Sequence, residues 1–214
     1  MSSPETPRLT KAIQLIQDGL FEKAEEVLRE LLEENPDSLE GWYNLGYVLS
    51  ESGEDEEAVK AYDEALAIDS EIFDIWFNKA SAFYHLADFE EAKKCYERAL
   101  EINPNEAEAW NNLGNCYSRL GEGQKAIEVY TKAVALQPDY AEALYNKANA
   151  HFIEEEDERA VAYGELAVKI NPDLEKRVSK WIDISRRRMV SSREEKVHRE
   201  KHKKLSEVVD DDTS

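Results

Sequence analysis

The chain has 214 residues, of which 42% are hydrophobic, 35% are charged and only eight are glycine, and its formal charge is −20. This supplies enough apolar side chain for a continuous core under a solvated surface, and the acidic balance excludes nucleic acid wrapped around the body. No apolar run approaches the roughly 20 residues that span a bilayer, and MSSPETPRLT has no apolar signal core, so a cytoplasmic protein is expected.

Residues 1–4 are read as a flexible N-terminus. A 34-residue period then fits five times: 5–38, 39–72, 73–106, 107–140 and 141–174. Trp42, Trp76 and Trp110 lie one period apart, with Leu144 next in phase. Ala58, Ala92, Ala126 and Ala160 share a phase, as do Ala65, Ala99, Ala133 and Ala167, and Tyr62, Tyr96 and Tyr130. Pro36, Pro104, Pro138 and Pro172 close periods, and Ser70 takes the one slot without proline. A period of this length means stacked repeats in which each unit buries its apolar face against its neighbours.

The first period is degenerate: Arg8 and Lys11 stand where later copies carry large apolar residues. Terminal repeats need one polar face, so 5–38 reads as an N-terminal cap. Pro7 suits a first helical turn, with Thr6 before it as the capping residue. The fourth period shows the internal pattern most clearly. Trp110, Leu113, Gly114 and Tyr117 recur at helical spacing, then Ala126, Ile127, Tyr130, Ala133 and Val134 do so again. Gly121 lies in the turn between them, and Asn103-Pro104 and Gln137-Pro138 end the preceding helices. Gly46, Ala80, Gly114 and Ala148 on first helices let paired helices approach closely. Cys95 and Cys116 are isolated thiols expected to be reduced packing residues.

After Pro172 the period stops. Residues 1–174 hold 38 acidic and 15 basic side chains, whereas 175–207 hold 6 acidic and 12 basic ones. We read 175–207 as a basic capping helix and its extension. Val178, Trp181 and Ile182 cover the last hairpin, and 190–207 is either helical but weakly packed or disordered. Residues 208–214 are expected to be a disordered acidic tail.

The stretch AEAWNNLGNCYSRLGEGQKAIEVYTKAVALQPDY (107–140) resembles a tetratricopeptide repeat nearly throughout, and the likeness extends over the five periods. The resemblance implies an all-α fold: an α-solenoid of about five helix–turn–helix hairpins forming a right-handed superhelix of less than one turn, followed by a long charged C-terminal capping helix. It also implies that first helices line a concave groove, where members of the family commonly bind peptide segments. There are departures. Lys79 and Lys147 replace the usual Leu, their stems covering apolar surface while the ammonium reaches water. Gly164 replaces a large aromatic, which is expected to loosen the fifth hairpin.

On the family's geometry the groove carries a ladder of Asn44, Asn78, Asn112 and Asn146, with Asn115 and Asn149 in a shorter row. Tyr43, Tyr47, Phe77, Tyr84, Tyr145 and Phe152 lie beside them, and Glu40, Asp74, Glu108 and Glu142 form an acidic edge. An Asn amide has an acceptor and two donors, which match an extended peptide backbone whatever its sequence. The same amides could instead tie neighbouring repeats together. Some family members grip acidic C-terminal peptides with a clamp of two Lys, two Asn and one Arg. Here only Asn115, Asn146, Lys176 and Lys180 fall at matching places, with Asn111 in place of one Lys and Lys180 in place of Arg. Solvated cap-helix lysines are the alternative reading. The acidic tail, Glu207 to Ser214, could also visit a basic patch of Lys176, Lys180 and Arg186 to Arg188.

Enzyme chemistry is not expected. His198 and His202 are one helical turn apart but sit among Lys and Arg with no third ligand, and His85 and His151 are single residues on first helices, of which His85 could line the groove. No nucleophile–base pair or phosphate loop stands out, so neither cofactor nor metal is anticipated. The reading is a non-enzymatic scaffold or adaptor, co-chaperone-like, that binds an extended partner segment in the groove. Two alternatives stand beside it. The basic arm could contact an acidic protein, RNA or a membrane surface, without membrane insertion and without DNA. The array could also be a structural subunit or a homo-oligomer.

Overall fold

A computed structural model describes the backbone of residues 7–211 and the side chains of residues 7–200. All regular structure among the described residues is helical. Residues up to Glu122 form one compact unit. It contains α1 (Pro7–Gln17), α2 (Phe21–Glu34), α3 (Leu39–Glu51), α4 (Asp55–Ile68), α5 (Phe73–His85), α6 (Phe89–Ile102) and α7 (Ala107–Arg119). Residues from Gly123 form a second unit. It contains α8 (Gly123–Leu136), α9 (Ala141–Ile153), α10 (Asp157–Ile170), a single 3-10 turn over Pro172–Leu174 and α11 (Glu175–Asp211).

The turns after α1, α3, α5, α7 and α9 all close in one way. In each, one residue has positive φ: Gly19, Gly53, Ala87, Gly121 and Glu155, again 34 residues apart. The N–H after it bonds back five residues, as in Glu54 to Leu49 O (2.8 Å) and Asp88 to Phe83 O (2.9 Å). This caps the last carbonyls of each first helix. Three of the five sites carry the residue such a turn favours; Ala87 and Glu155, both at φ 59°, hold the left-handed conformation with a Cβ.

In unit 1 the Tyr62 ring lies against Gly46 so closely that a Cβ there would come within 2.5 Å of the ring. Leu28, Leu45, Val48, Leu49, Ala58, Ala65 and Ile75 complete this core. In α1, Leu9 and Ala12 are buried, while exposed Arg8 forms ion pairs with Glu30 and Glu34. The periodic tryptophans are half-buried rather than core-filling. The indole N–H of each donates to the carbonyl six residues earlier: Trp42 to Pro36 (2.8 Å), Trp76 to Ser70 (2.9 Å) and Trp110 to Pro104 (2.8 Å). The loop carbonyl at the period's end is thus tied to the next helix, which works equally well with Ser70 as with proline.

Two departures resolve differently from expectation in unit 2. Gly164 does not leave a loose hairpin. Trp181 of α11 fills the space, and a Cβ on Gly164 would meet its ring at 2.8 Å and Val178 at 3.2 Å. Lys147 does not send its ammonium to water. It is 5% exposed, and its Nζ lies 4.0 Å from the Tyr163 ring centre. Lys79 in unit 1 keeps more exposure and pairs with Asp63.

Along α11, burial reaches Ser185 through Val178, Trp181 and Ile182, and residues 190–200 are exposed throughout. The helix continues through Asp211, including 208–211 of the segment expected to be disordered. The sequence there is rich in Glu, Lys and Arg, good helix formers that can pair one turn apart, as Glu195 and Arg199 do at 3.3 Å. Residues 1–4 and 212–214 lie outside the described residues.

Candidate functional site

The first-helix residues of unit 1 line two cavities. The larger, about 460 Å³, lies among Tyr43 of α3, Phe73, Asp74, Phe77 and Asn78 of α5, Asn103 and Glu106 of the following loop, and Glu108 and Ala109 of α7. The smaller, about 160 Å³, lies among Ser81, Tyr84 and His85 of α5, Tyr96 of α6, and Asn112 and Asn115 of α7. The i, i+4 spacing of α5 brings Phe73, Phe77 and Ser81 into one row. Phe73 stacks on Phe77 (5.6 Å, 23°), and Phe77 meets Tyr96 edge-on at 5.6 Å.

The asparagines do not form a uniform ladder. Asn44 donates to the Glu40 carbonyl of its own helix at 2.6 Å. Asn78 reaches across to the Tyr43 hydroxyl at 3.2 Å. Asn112 takes part in a cluster with Tyr96 and Ser81, whose hydroxyls lie 2.9 Å apart. Asn111, proposed for the groove, is only 3% exposed and donates to Asn112 Oδ1 at 3.3 Å. It shares the phase of Tyr43 and Phe77 but is buried, and its amide holds that of Asn112. Tyr47 is half-buried against the unit 1 core, and Tyr84 packs edge-on against Phe89 at 5.2 Å. Burial, and secondarily the charge of Asp74, raises the pKa of Tyr43. Burial pushes the thiols of Cys95 and Cys116 up to about 11 and about 12, so neither is a nucleophile near neutrality.

The corresponding aromatics of unit 2 are covered. The Arg177 guanidinium lies 3.9 Å from the Tyr145 ring centre and pairs with Glu142 at 2.9 Å. Phe152 stacks on Trp181 at 5.4 Å beneath Arg188, which pairs with Asp157 at 2.7 Å and donates to the Phe152 carbonyl at 3.2 Å. Asn146 and Asn149 are partly buried on α9, and Lys176 and Lys180 are exposed on α11. Of the five clamp positions, Asn111 and Asn115 belong to unit 1, and Asn146, Lys176 and Lys180 to unit 2. In the basic patch suggested for the tail, Arg186 is already paired with Glu165 at 2.7 Å, and Arg188 with Asp157. The side chains of Glu207 to Ser214 lie outside the described residues.

His151 is 2% exposed, stacks on Tyr163 and bonds through Nδ1 to Glu156 at 2.9 Å. Desolvation lowers its pKa, against the opposing pull of Glu156. The sequence reading missed Phe73, Ser81, Tyr96, Asn103 and Glu106 as cavity residues. The helical spacing from Phe77 was a usable signal for Phe73 and Ser81. The loop residues Asn103 and Glu106 had none.

With this geometry in place, the repeat profile described as tetratricopeptide repeat matches residues 9–71, 77–141 and 118–175. The chain belongs to the tetratricopeptide-repeat family. Solved structures share the fold of this repeat protein. A crystal structure of MamA aligns with TM-score 0.73 at 23% identity, over 77% of this chain and 96% of MamA. YrrB, described as a tetratricopeptide-repeat protein with an unusual peptide-binding site, aligns with TM-score 0.71 at 24% identity, over 79% and 88%. A thermophilic member from Thermus thermophilus aligns with TM-score 0.61 at 23% identity, over 84% and 99%. No curated protein matches the repeat protein in sequence. No helix among the described residues is long and apolar enough to cross a membrane.

Proposed function

We propose that this repeat protein is a non-enzymatic interaction scaffold that binds an extended segment of a partner protein along the first-helix face of unit 1. The observation that carries this is the pair of cavities that each bring amides and aromatic rings together: Tyr43, Phe77 and Asn78 in one, Tyr84, Asn112 and Asn115 in the other. Rings supply contact area and amides supply donors and acceptors for a peptide backbone. YrrB, a relative in fold, has a peptide-binding site. The acidic side chains Asp74 and Glu108 disfavour the acidic C-terminal peptides of a co-chaperone-type interaction at this place. The alternative role for the basic arm is weakened by Arg177, Arg186 and Arg188, which are engaged with the protein's own carboxylates.

A peptide array separates the two readings. Substituting Asn78, Asn112 and Asn115 together by Ala is expected to abolish binding to the selected peptides. Arg193→Gln, Lys196→Gln and Arg199→Gln together are expected to leave it intact. Loss only in the arm variant would transfer the function to α11.

A further inference from the structure

We propose that the exposed half of α11 docks on the outward faces of α2 and α4 in a second copy of this chain, the two copies exchanging arms. The arginines that hold α11 to its own unit, Arg177, Arg186 and Arg188, end at residue 188. Beyond them residues 190–200 are exposed throughout, while the helix runs on to Asp211. Most helical stability in proteins comes from packing one face rather than from propensity, and this stretch leaves such a face uncovered. Val190 and Val197 are 57% and 47% exposed, and the i, i+3, i+7 spacing sets Arg193 between them on one side of the helix. Arg193 and Lys196 border a hollow beside Glu155 and Glu158, yet neither forms an ion pair among the described residues.

Charge complementarity names the occupant. In unit 1 the acid is not spread evenly over the hairpins. The first helices α1, α3, α5 and α7 together hold four acidic and four basic residues. By contrast, α2 holds six acidic and two basic residues, α4 five and one, and α6 a nearly balanced four and three. Arg29 of α2 is already paired with Glu25 and with Glu57 of α4, so the two acidic faces adjoin. The basic helix and the acidic faces belong to one chain, so both surfaces are always present in equal number. From residue 190 to Asp211 the helix is about 33 Å long and about 10 Å wide, a strip of about 330 Å². One docked arm would bury about 660 Å² over both partners, less than stable interfaces bury, whereas exchange of two arms doubles this to about 1,300 Å².

Sedimentation velocity of the full chain tests this. A dimer is expected at about 20 mM salt, weakened about tenfold near 300 mM as screening shortens the reach of exposed charges. Arg193→Gln/Lys196→Gln/Arg199→Gln should weaken the dimer about tenfold, and Glu26→Gln/Glu56→Gln/Glu64→Gln should do the same. Bulk repulsion between two acidic chains predicts the opposite for the second variant, which lowers the net charge. Glu40→Gln/Asp74→Asn/Glu108→Gln makes the same charge change on first helices and should leave the dimer within about twofold. Equal weakening there would overturn the assignment to α2 and α4, as would weakening by the arm variant alone. A dimer indifferent to salt and to the arm variant would overturn the role of α11. A chain that stays monomeric at about 0.1 mM in low salt would overturn the whole proposal. Arm-dependent binding of anionic vesicles or an RNA hairpin by that monomer would assign α11 to another partner.

Discussion

In unit 1 the ring of Tyr62 closes on Gly46, so a second helix supplies the bulk and a first helix supplies the space. In unit 2 a second helix supplies the space at Gly164, and Trp181 of the terminal helix supplies the bulk. The lysines of the near-identical runs WFNKA and LYNKA diverge in the same way. Lys79 finds the carboxylate of Asp63, whereas Thr131 stands at the equivalent place for Lys147, which lies over the Tyr163 ring instead. The aromatics follow suit: Tyr43 and Phe77 line an open cavity, while Tyr145 and Phe152 lie beneath arginines of α11. Periodicity thus specifies where volume and charge must be balanced, and the residues outside the period decide which element balances them.

The largest expected effect breaks this comparison at its packing end. Trp181→Ala should lower stability by about 3–5 kcal/mol, the usual cost of a large core truncation. Gly164→Ala alone should cost about 1–3 kcal/mol by overpacking but should be neutral or helpful in the Trp181→Ala background. Additive losses in denaturant unfolding would show that the two do not share one space.

The turns come next. Ala87→Gly and Glu155→Gly should each stabilise by about 1 kcal/mol, since glycine adopts positive φ without a Cβ clash. An Ala at Gly53, where φ is 81°, should do the reverse by a similar amount. Equal melting temperatures for all three variants would show that the turns are not strained.

The lysines should differ in sign. Lys147→Met removes a buried charge that has no carboxylate partner among the described residues, and keeps a flexible apolar stem on Tyr163. It should leave the melting temperature unchanged or higher. Lys79→Met removes an ion pair and should lower stability by up to about 1 kcal/mol. The opposite ordering would undo the distinction.

The smallest effect is pH-dependent. The folded pKa of His151 lies below its unfolded value of about 6.5. Between the two, the unfolded chain binds a proton that the folded chain does not. The stability is therefore complete above about 6.5 and is lost as pH falls through the folded pKa. His151→Gln should flatten that part of the thermal stability profile, and a profile unchanged by the substitution would exclude His151 as its source.

Much of the fold was legible because the repeat signal is redundant: Trp, Ala and Tyr phases each mark the same hairpins, and Arg8 and Lys11 marked the polar cap. What the period could not carry was compensation from elsewhere in the chain. Gly164 read as a defect because Trp181 lies outside the repeats. Asn111 read as a groove residue because it shares the 34-residue phase of Tyr43 and Phe77, and its burial comes from packing that the period does not carry. In the candidate site, Tyr43, Phe77, Asn78, Tyr84, Asn112 and Asn115 were visible from phase. Asn103 and Glu106 were not, because a loop residue's direction is set by tertiary contacts rather than by spacing.

The central claim is that the first-helix face of unit 1 receives a peptide. Side-chain amide NMR during titration with a peptide selected on the array tests it most directly. The account predicts that the Asn78, Asn112 and Asn115 amide signals move together, while those of Asn35 and Asn171 stay in place. Shifts confined to the backbone amides of residues 190–200 on α11, with the three asparagines unmoved, would contradict it.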